Sequence, residues 1–142
     1  MNINQGEQAM FVEERIYTVV PGKAPEFLKL YETEGMAIQA RHLPAMVGYY
    51  SSDIGTLNLI VHQWAFNDIN ERVAMRATMV ADPDWQAYLK KLMPLILQQE
   101  SRMLVPAPFF AERLQTLVDF SRQQRAALLS RHGSSPAEQV PA

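Results

Sequence analysis

Cysteine is absent from this chain. Disulfides, thiolate nucleophiles and cysteine-based metal sites are therefore excluded, and stability has to come from packing and hydrogen bonding. Histidine is nearly as scarce: His42, His62 and His132 are the only three, and no two are close in sequence. No metal is expected from such a set. An excess of one charge is missing too, since 13 basic and 15 acidic residues leave a formal charge of −2. Without a broad positive field there is little to draw a phosphate backbone, so nucleic acid is not an expected partner. No apolar run reaches the roughly 18 residues that a membrane span requires. The opening MNINQGEQAM carries neither the basic nor the apolar segment of a secretory leader, and a cytoplasmic setting is the expectation. Gly-rich phosphate loops, a G-x-S-x-G elbow and an H-E-x-x-H helix are all lacking. The familiar signatures of nucleotide binding, acyl transfer and zinc hydrolysis thus have no support, and no cofactor is expected.

What is present is a chain of 142 residues, 48% of them hydrophobic, which suits a single core. Residues 1–9 are polar and aperiodic and predict a disordered arm. Aromatic and β-branched residues mixed with charges from Phe11 to Val20 predict a first strand, ended by Pro21-Gly22. From Pro25 to His42 the positions Phe27, Leu28, Tyr31, Gly35 and Ile38 recur at helical spacing, and Leu43-Pro44 stops the helix. Met46–Ser52 and Thr56–Phe66 predict a hairpin about Asp53-Ile54-Gly55. On its second strand Leu57, Leu59 and Val61 alternate with Asn58, Ile60, His62, Trp64 and Phe66. Asp68 and Glu71 form a capping-box pattern opening a helix to Val80, Asp82-Pro83 restarts it, and Pro94 kinks or breaks it. Arg102–Phe110 reads as a fourth strand whose prolines suit an edge. Residues 111–132 form an amphipathic helix and 133–142 a flexible tail.

The order β, α, β, β, α, β predicts an α+β, ferredoxin-like fold over residues 10–110. One four-stranded antiparallel sheet carries helices on one face, with strands one and three adjacent and the C-terminal helix added. Large apolar groups on both faces of strand three exceed what one helical layer covers. A twofold partner sheet would cover the rest, so the expected partner is a second copy of this chain, as a dimer or a dimer of dimers.

Several residues recur in a known order: Glu13, Arg15 and Tyr17, then Pro21-Gly22, Gly48, Gly55, His62 and Trp64. Arg72, Trp85, Tyr88, Pro94, Glu100 and the Pro106–Phe110 ending follow. In these the chain from Met10 to Phe110 resembles the NIPSNAP family, within the dimeric α+β barrels. Glu14 departs from the apolar residue expected in strand one, and the C-terminal helix runs past the usual domain end. The resemblance implies a fold and little chemistry: bacterial members mostly lack an assigned activity, and the mitochondrial ones are discussed as interaction and quality-control proteins.

Shared strand parity places Glu13, Arg15 and Tyr17 with Asn58, His62 and Trp64 on the barrel-lining face, where they would form a polar-aromatic pocket. Arg15 suits a carboxylate, His62 a proton transfer near neutral pH, and Trp64 the wall of a planar ligand. The plainer alternative is that Glu13 pairs with Arg15 while His62 makes one hydrogen bond in a filled core. Arg72 and Arg76, one helical turn apart, suit either an anion clamp or salt bridges to neighbours such as Glu71. The leading expectation is a dimeric domain, binding a small apolar or aromatic molecule or acting in interactions rather than in catalysis. The alternative is a cofactor-independent monooxygenase- or isomerase-like enzyme, with His62 as acid-base and Arg15 or Tyr17 orienting substrate.

Overall fold

The computed structural model describes residues 10–132, so the expected arm at 1–9 and tail at 133–142 lie outside the described residues. Four strands, β1 (Phe11–Val19), β2 (Met46–Ser51), β3 (Leu59–Phe66) and β4 (Ile96–Leu104), form one antiparallel sheet. Their order is β2-β3-β1-β4, the ferredoxin-like arrangement. The first helical layer comprises α1 (Ala24–Leu30), a π-helical turn (Tyr31–Gly35) and α2 (Met36–Ala40). The second comprises α3 (Ile69–Ala81) and α4 (Pro83–Leu92), and α5 (Ala111–His132) follows the sheet. Among the described residues no helix is long and apolar enough to cross a membrane.

Local chemistry sets the boundaries. Asp68 Oδ1 accepts from the Glu71 amide at 2.8 Å, and Asp82 Oδ1 accepts from the Asp84 amide at 2.9 Å. Each carboxylate satisfies an amide that the helix leaves open, a contribution of about 1 kcal/mol. Pro83 opens α4 where its missing N–H costs nothing. The single helix expected from Pro25 to His42 is instead divided by the π-helical turn. That turn ends at Gly35, where an added Cβ would overlap the Tyr88 ring of α4.

Two strands differ from expectation. β3 begins at Leu59 rather than Thr56, because Asn58 takes a left-handed φ of 65° and turns the chain. Leu57 is then left exposed and off the sheet. β4 runs from Ile96 to Leu104 instead of Arg102 to Phe110. Its polar residues Gln98 to Arg102 are held in the sheet by their ladder to β1, which ends at Val12 opposite Leu104. Pro106 and Pro108 cannot donate to a ladder, and Phe109 and Phe110 fall in a 3-10 turn.

The main core lies between sheet and helices, where Phe27, Ile60, Trp64, Phe66, Met79 and Leu92 are buried together. Glu13, Arg15 and Tyr17 of β1 share that face with His62 and Trp64, as their pairing register requires. The face expected to line a barrel is thus covered by the chain's own helices. On the opposite face Leu114 and Val118 of α5 pack against Ala45 and Ala65 in a smaller cluster. The rest of that face carries Glu14, Ile16, Thr18, Leu59, Val61 and Gln63.

Candidate functional site

The register builds the site in rows across the sheet. Tyr49, His62, Arg15 and Ser101 stand side by side on β2, β3, β1 and β4. One row away are Trp64 and Glu13, and on the other side Tyr17 and Gln99. Above the middle rows, between the sheet and the helices, lies a cavity of about 180 Å³. Arg15, Tyr17, Tyr49 and His62 line it from the sheet, and Arg76 and Tyr88 from α3 and α4.

His62 is held from three directions. The Tyr49 ring stacks on it at 4.8 Å and 14°, and Tyr17 meets it edge-on at 4.8 Å. The Trp64 indole Nε1–H donates to its Nδ1 at 2.7 Å. A nitrogen that accepts carries no proton, so the hydrogen-bond network assigns the ring proton to Nε2. That Nε2 is buried and has no hydrogen-bond partner among the described residues. Burial, aided by the charges of Arg15 and Arg76 and only partly opposed by Glu13, lowers its pKa from 6.5 to about 3. At neutral pH His62 is therefore an uncharged ring that presents Nε2–H as a donor.

Glu13 lies beneath this row and is fully buried. Arg72 forks onto both its oxygens at 2.7 and 2.9 Å, Ser101 donates at 2.6 Å and Arg15 Nη1 at 3.0 Å. Burial raises the carboxyl pKa, but the hydrogen bonds from Arg72 and Ser101 and the charges of Arg15 and Arg72 win, lowering it to about 2. Glu13 and Arg72 thus tie α3 to β1 and β4 and leave no oxygen for a ligand. Arg15 also donates through Nε to the Tyr17 hydroxyl at 3.0 Å and through Nη2 to Gln99 Oε1 at 3.3 Å. The Arg76 guanidinium, by contrast, makes no hydrogen bond or ion pair among the described residues. Burial and the neighbouring Arg15 lower its pKa.

Of the residues expected to form a pocket, Arg15, Tyr17 and His62 meet at the cavity, joined by Arg76. Trp64 stands behind His62, and Glu13 and Arg72 are its foundation. Asn58 is a correction: it sits in the turn before β3, where its carbonyl accepts from the Val19 amide at 2.8 Å, and it does not line the cavity. Tyr49, Tyr88 and Gln99 were not expected there. Tyr88 follows Trp85 by three residues on the buried face of α4, a spacing that gives the face but not the cavity. A larger groove of about 460 Å³ runs under α5, walled by Leu43, Met46, Trp64 and Phe120 among others. Arg125 closes it on one side by donating to the Ala40 carbonyl at 2.5 Å, at the end of α2. Neither buried, unpartnered polar atom found among the described residues lies in this groove.

Residues 12–111 match the NIPSNAP family profile. The chain belongs to the NIPSNAP family. Among curated relatives it is 29% identical to a NipSnap homolog of Dictyostelium discoideum over 94 residues, 66% of this chain and 41% of that protein. NipSnap homolog 1 of Danio rerio is 33% identical over 60 residues, 42% of this chain and 22% of that protein. The matched NIPSNAP region thus spans less than half the length of these relatives. Among solved structures, a NIPSNAP-like domain protein from Burkholderia xenovorans is 42% identical with a TM-score of 0.70, over 72% of this chain and 89% of that one. A NIPSNAP family protein from Agrobacterium tumefaciens is 42% identical with a TM-score of 0.71, over 75% and 96%. The first is described as uncharacterized and the second as of unknown function. A protein from Caulobacter crescentus, named after the antibiotic biosynthesis monooxygenases, reaches a TM-score of 0.52 at 15% identity, over 70% of this chain and 92% of that one. The NIPSNAP domain shares with it the dimeric α+β barrel fold, and at that identity the likeness extends to the fold alone.

Proposed function

We propose that this NIPSNAP domain is a non-catalytic binding domain, which takes a small molecule into the cavity between sheet and helices and works as a homodimer. The observation that carries the reading is the buried pair of His62 Nε2 and the Tyr88 hydroxyl. Both line one cavity and neither has a hydrogen-bond partner among the described residues. Buried polar groups left unpaired are costly, and a ligand that pairs them recovers that cost. An acid-base role for His62, the basis of the enzymatic alternative, is disfavoured by its fixed tautomer and lowered pKa. Support for the homodimer comes from the sheet. β4 pairs on one side only and exposes Leu97 and Met103, while Leu59 and Val61, on the face opposite α1 to α4 that α5 covers only in part, are half buried. A second copy would cover both.

Native mass spectrometry of freshly purified protein tests both parts in one spectrum. The expected result is a dimer with one small molecule retained per subunit. A monodisperse monomer at about micromolar concentration overturns the assembly. Subunits that neither retain nor take up any small molecule overturn the binding reading.

A further inference from the structure

The lining of the cavity is unbalanced in charge and in hydrogen-bonding sense. Two guanidiniums, Arg15 and Arg76, reach it, and no carboxylate lines it among the described residues. The acids closest to the lining are already paired: Glu13 with Arg72, Arg15 and Ser101, and Glu34, which acts on Tyr88, with Lys91. Free donors accumulate as well. His62 presents Nε2–H, since Nδ1 accepts from Trp64, and the Tyr88 hydroxyl is unpartnered; both residues are only 2% exposed. Tyr17 accepts from Arg15 Nε, which leaves its own hydroxyl proton free. The two amide oxygens of the lining are engaged: Gln39 Oε1 takes the Tyr31 hydroxyl at 2.6 Å and Gln99 Oε1 takes Arg15, which leaves only tyrosine hydroxyls, themselves donors, as side-chain oxygen acceptors. A half-buried guanidinium without a counter-ion is costly to keep, and it marks a place where negative charge is missing.

Shape limits what can bring that charge. The cavity is about 180 Å³, against about 150 Å³ for an apolar cavity that holds one benzene. The rings of Tyr17 and Tyr49 supply flat walls, and half-exposed Val80 and Met93 mark the mouth. Resting on the binding reading above, we propose that the cavity takes a one-ring aromatic carboxylate, its carboxylate on Arg76, His62 Nε2–H and the Tyr88 hydroxyl and its ring among the tyrosines. A planar guanidinium beside two neutral donors suits a carboxylate's two oxygens. The requirement for negative charge distinguishes this ligand from a neutral aromatic of the same shape.

The test compares benzoate with benzamide, its neutral isostere, by calorimetric titration of the full chain and of Arg76→Met. Benzoate is expected to bind wild type about 10- to 100-fold more tightly than benzamide, the worth of a charge-assisted contact. In Arg76→Met that preference should vanish while benzamide binding persists. The urea midpoint of unliganded Arg76→Met should equal or exceed that of wild type, because the variant loses an uncompensated charge. Equal affinities of wild type for the two probes, an undiminished preference in Arg76→Met, or a marked loss of its stability each overturns the proposal and leaves the cavity-binding reading standing. If neither probe binds wild type at millimolar concentration, the proposal falls, and the binding reading then stands or falls on the mass spectrum.

Discussion

Trp64 and His62, two residues apart on one face of β3, are joined by a 2.7 Å hydrogen bond from the indole N–H to imidazole Nδ1. The bond settles which nitrogen carries the proton, and burial keeps the ring neutral. Nitrogen NMR of labelled histidine is expected to report Nδ1 unprotonated, Nε2 protonated and no titration of His62 between about pH 5 and 8. Trp64→Phe removes the donor and part of the core and should cost on the order of 2 kcal/mol or more. An imidazole that titrates near its ordinary value in the wild-type protein contradicts this account.

Acid should unfold the protein in two overlapping stages with the same sign. His62 is lowered from 6.5 to about 3, so below pH 6.5 the unfolded chain takes up a proton that the folded one refuses, and stability falls as pH drops toward 3. Glu13 is lowered from 4.5 to about 2, so its stabilisation is complete above 4.5 and is lost as pH falls toward 2. Urea titrations across this range should show a decline of a few kcal/mol that starts near the upper limit. His62→Gln should flatten the first stage only; an unchanged profile in that variant assigns the decline to other groups.

Much of this arrangement was legible in the chain, and the gaps have identifiable causes. Period-two alternation put Glu13, Arg15, Tyr17, His62 and Trp64 on one face, and the register confirms that they share it. Alternation cannot say what covers a face, which is why a barrel lining was expected where α3 and α4 lie. Asn58 kept the parity of β3 on paper, but a left-handed residue ends the alternation. β4 was misplaced because its paired segment, Gln98 to Arg102, is polar, and an edge strand held by its ladder needs no apolar face. Arg76 was visible as one of a helical pair, yet only packing separates its fate from that of Arg72. One residue is clamped to Glu13 and the other is left facing a cavity.

Glu13 with Arg72 is the buried ion pair on which α3 depends. Glu13→Gln keeps the size and removes the charge, leaving Arg72 and Arg15 to face a neutral amide that also brings two donors. The expected loss is about 3–5 kcal/mol by urea unfolding, typical of breaking a buried pair from one side. Arg72→Met introduced into that variant should cost far less than in wild type, because its partner is already gone. Independent, additive losses would mean that the two residues do not act as a pair.

Gly35 offers the sharpest test of how the helical layer meets the cavity. Its backbone is ordinary right-handed helix, with φ −80° and ψ −36°, so glycine is not needed there for conformation. Alanine would on its own favour a helix by up to about 1 kcal/mol. Space decides otherwise, since a Cβ at this position would overlap the Tyr88 ring. That ring has little freedom to retreat, being buried and packed against Trp85 at 5.1 Å. Overpacking of this kind costs about 1–3 kcal/mol, so Gly35→Ala should destabilise and should also shift the Tyr88 hydroxyl within the cavity. In a Tyr88→Leu background the obstruction is gone and only the helix preference remains. The same Gly35→Ala substitution should then be neutral or slightly stabilising, a reversal of sign that a double-mutant cycle reads directly. A loss of equal size in both backgrounds would mean that Gly35 is required for some reason other than the approach of Tyr88.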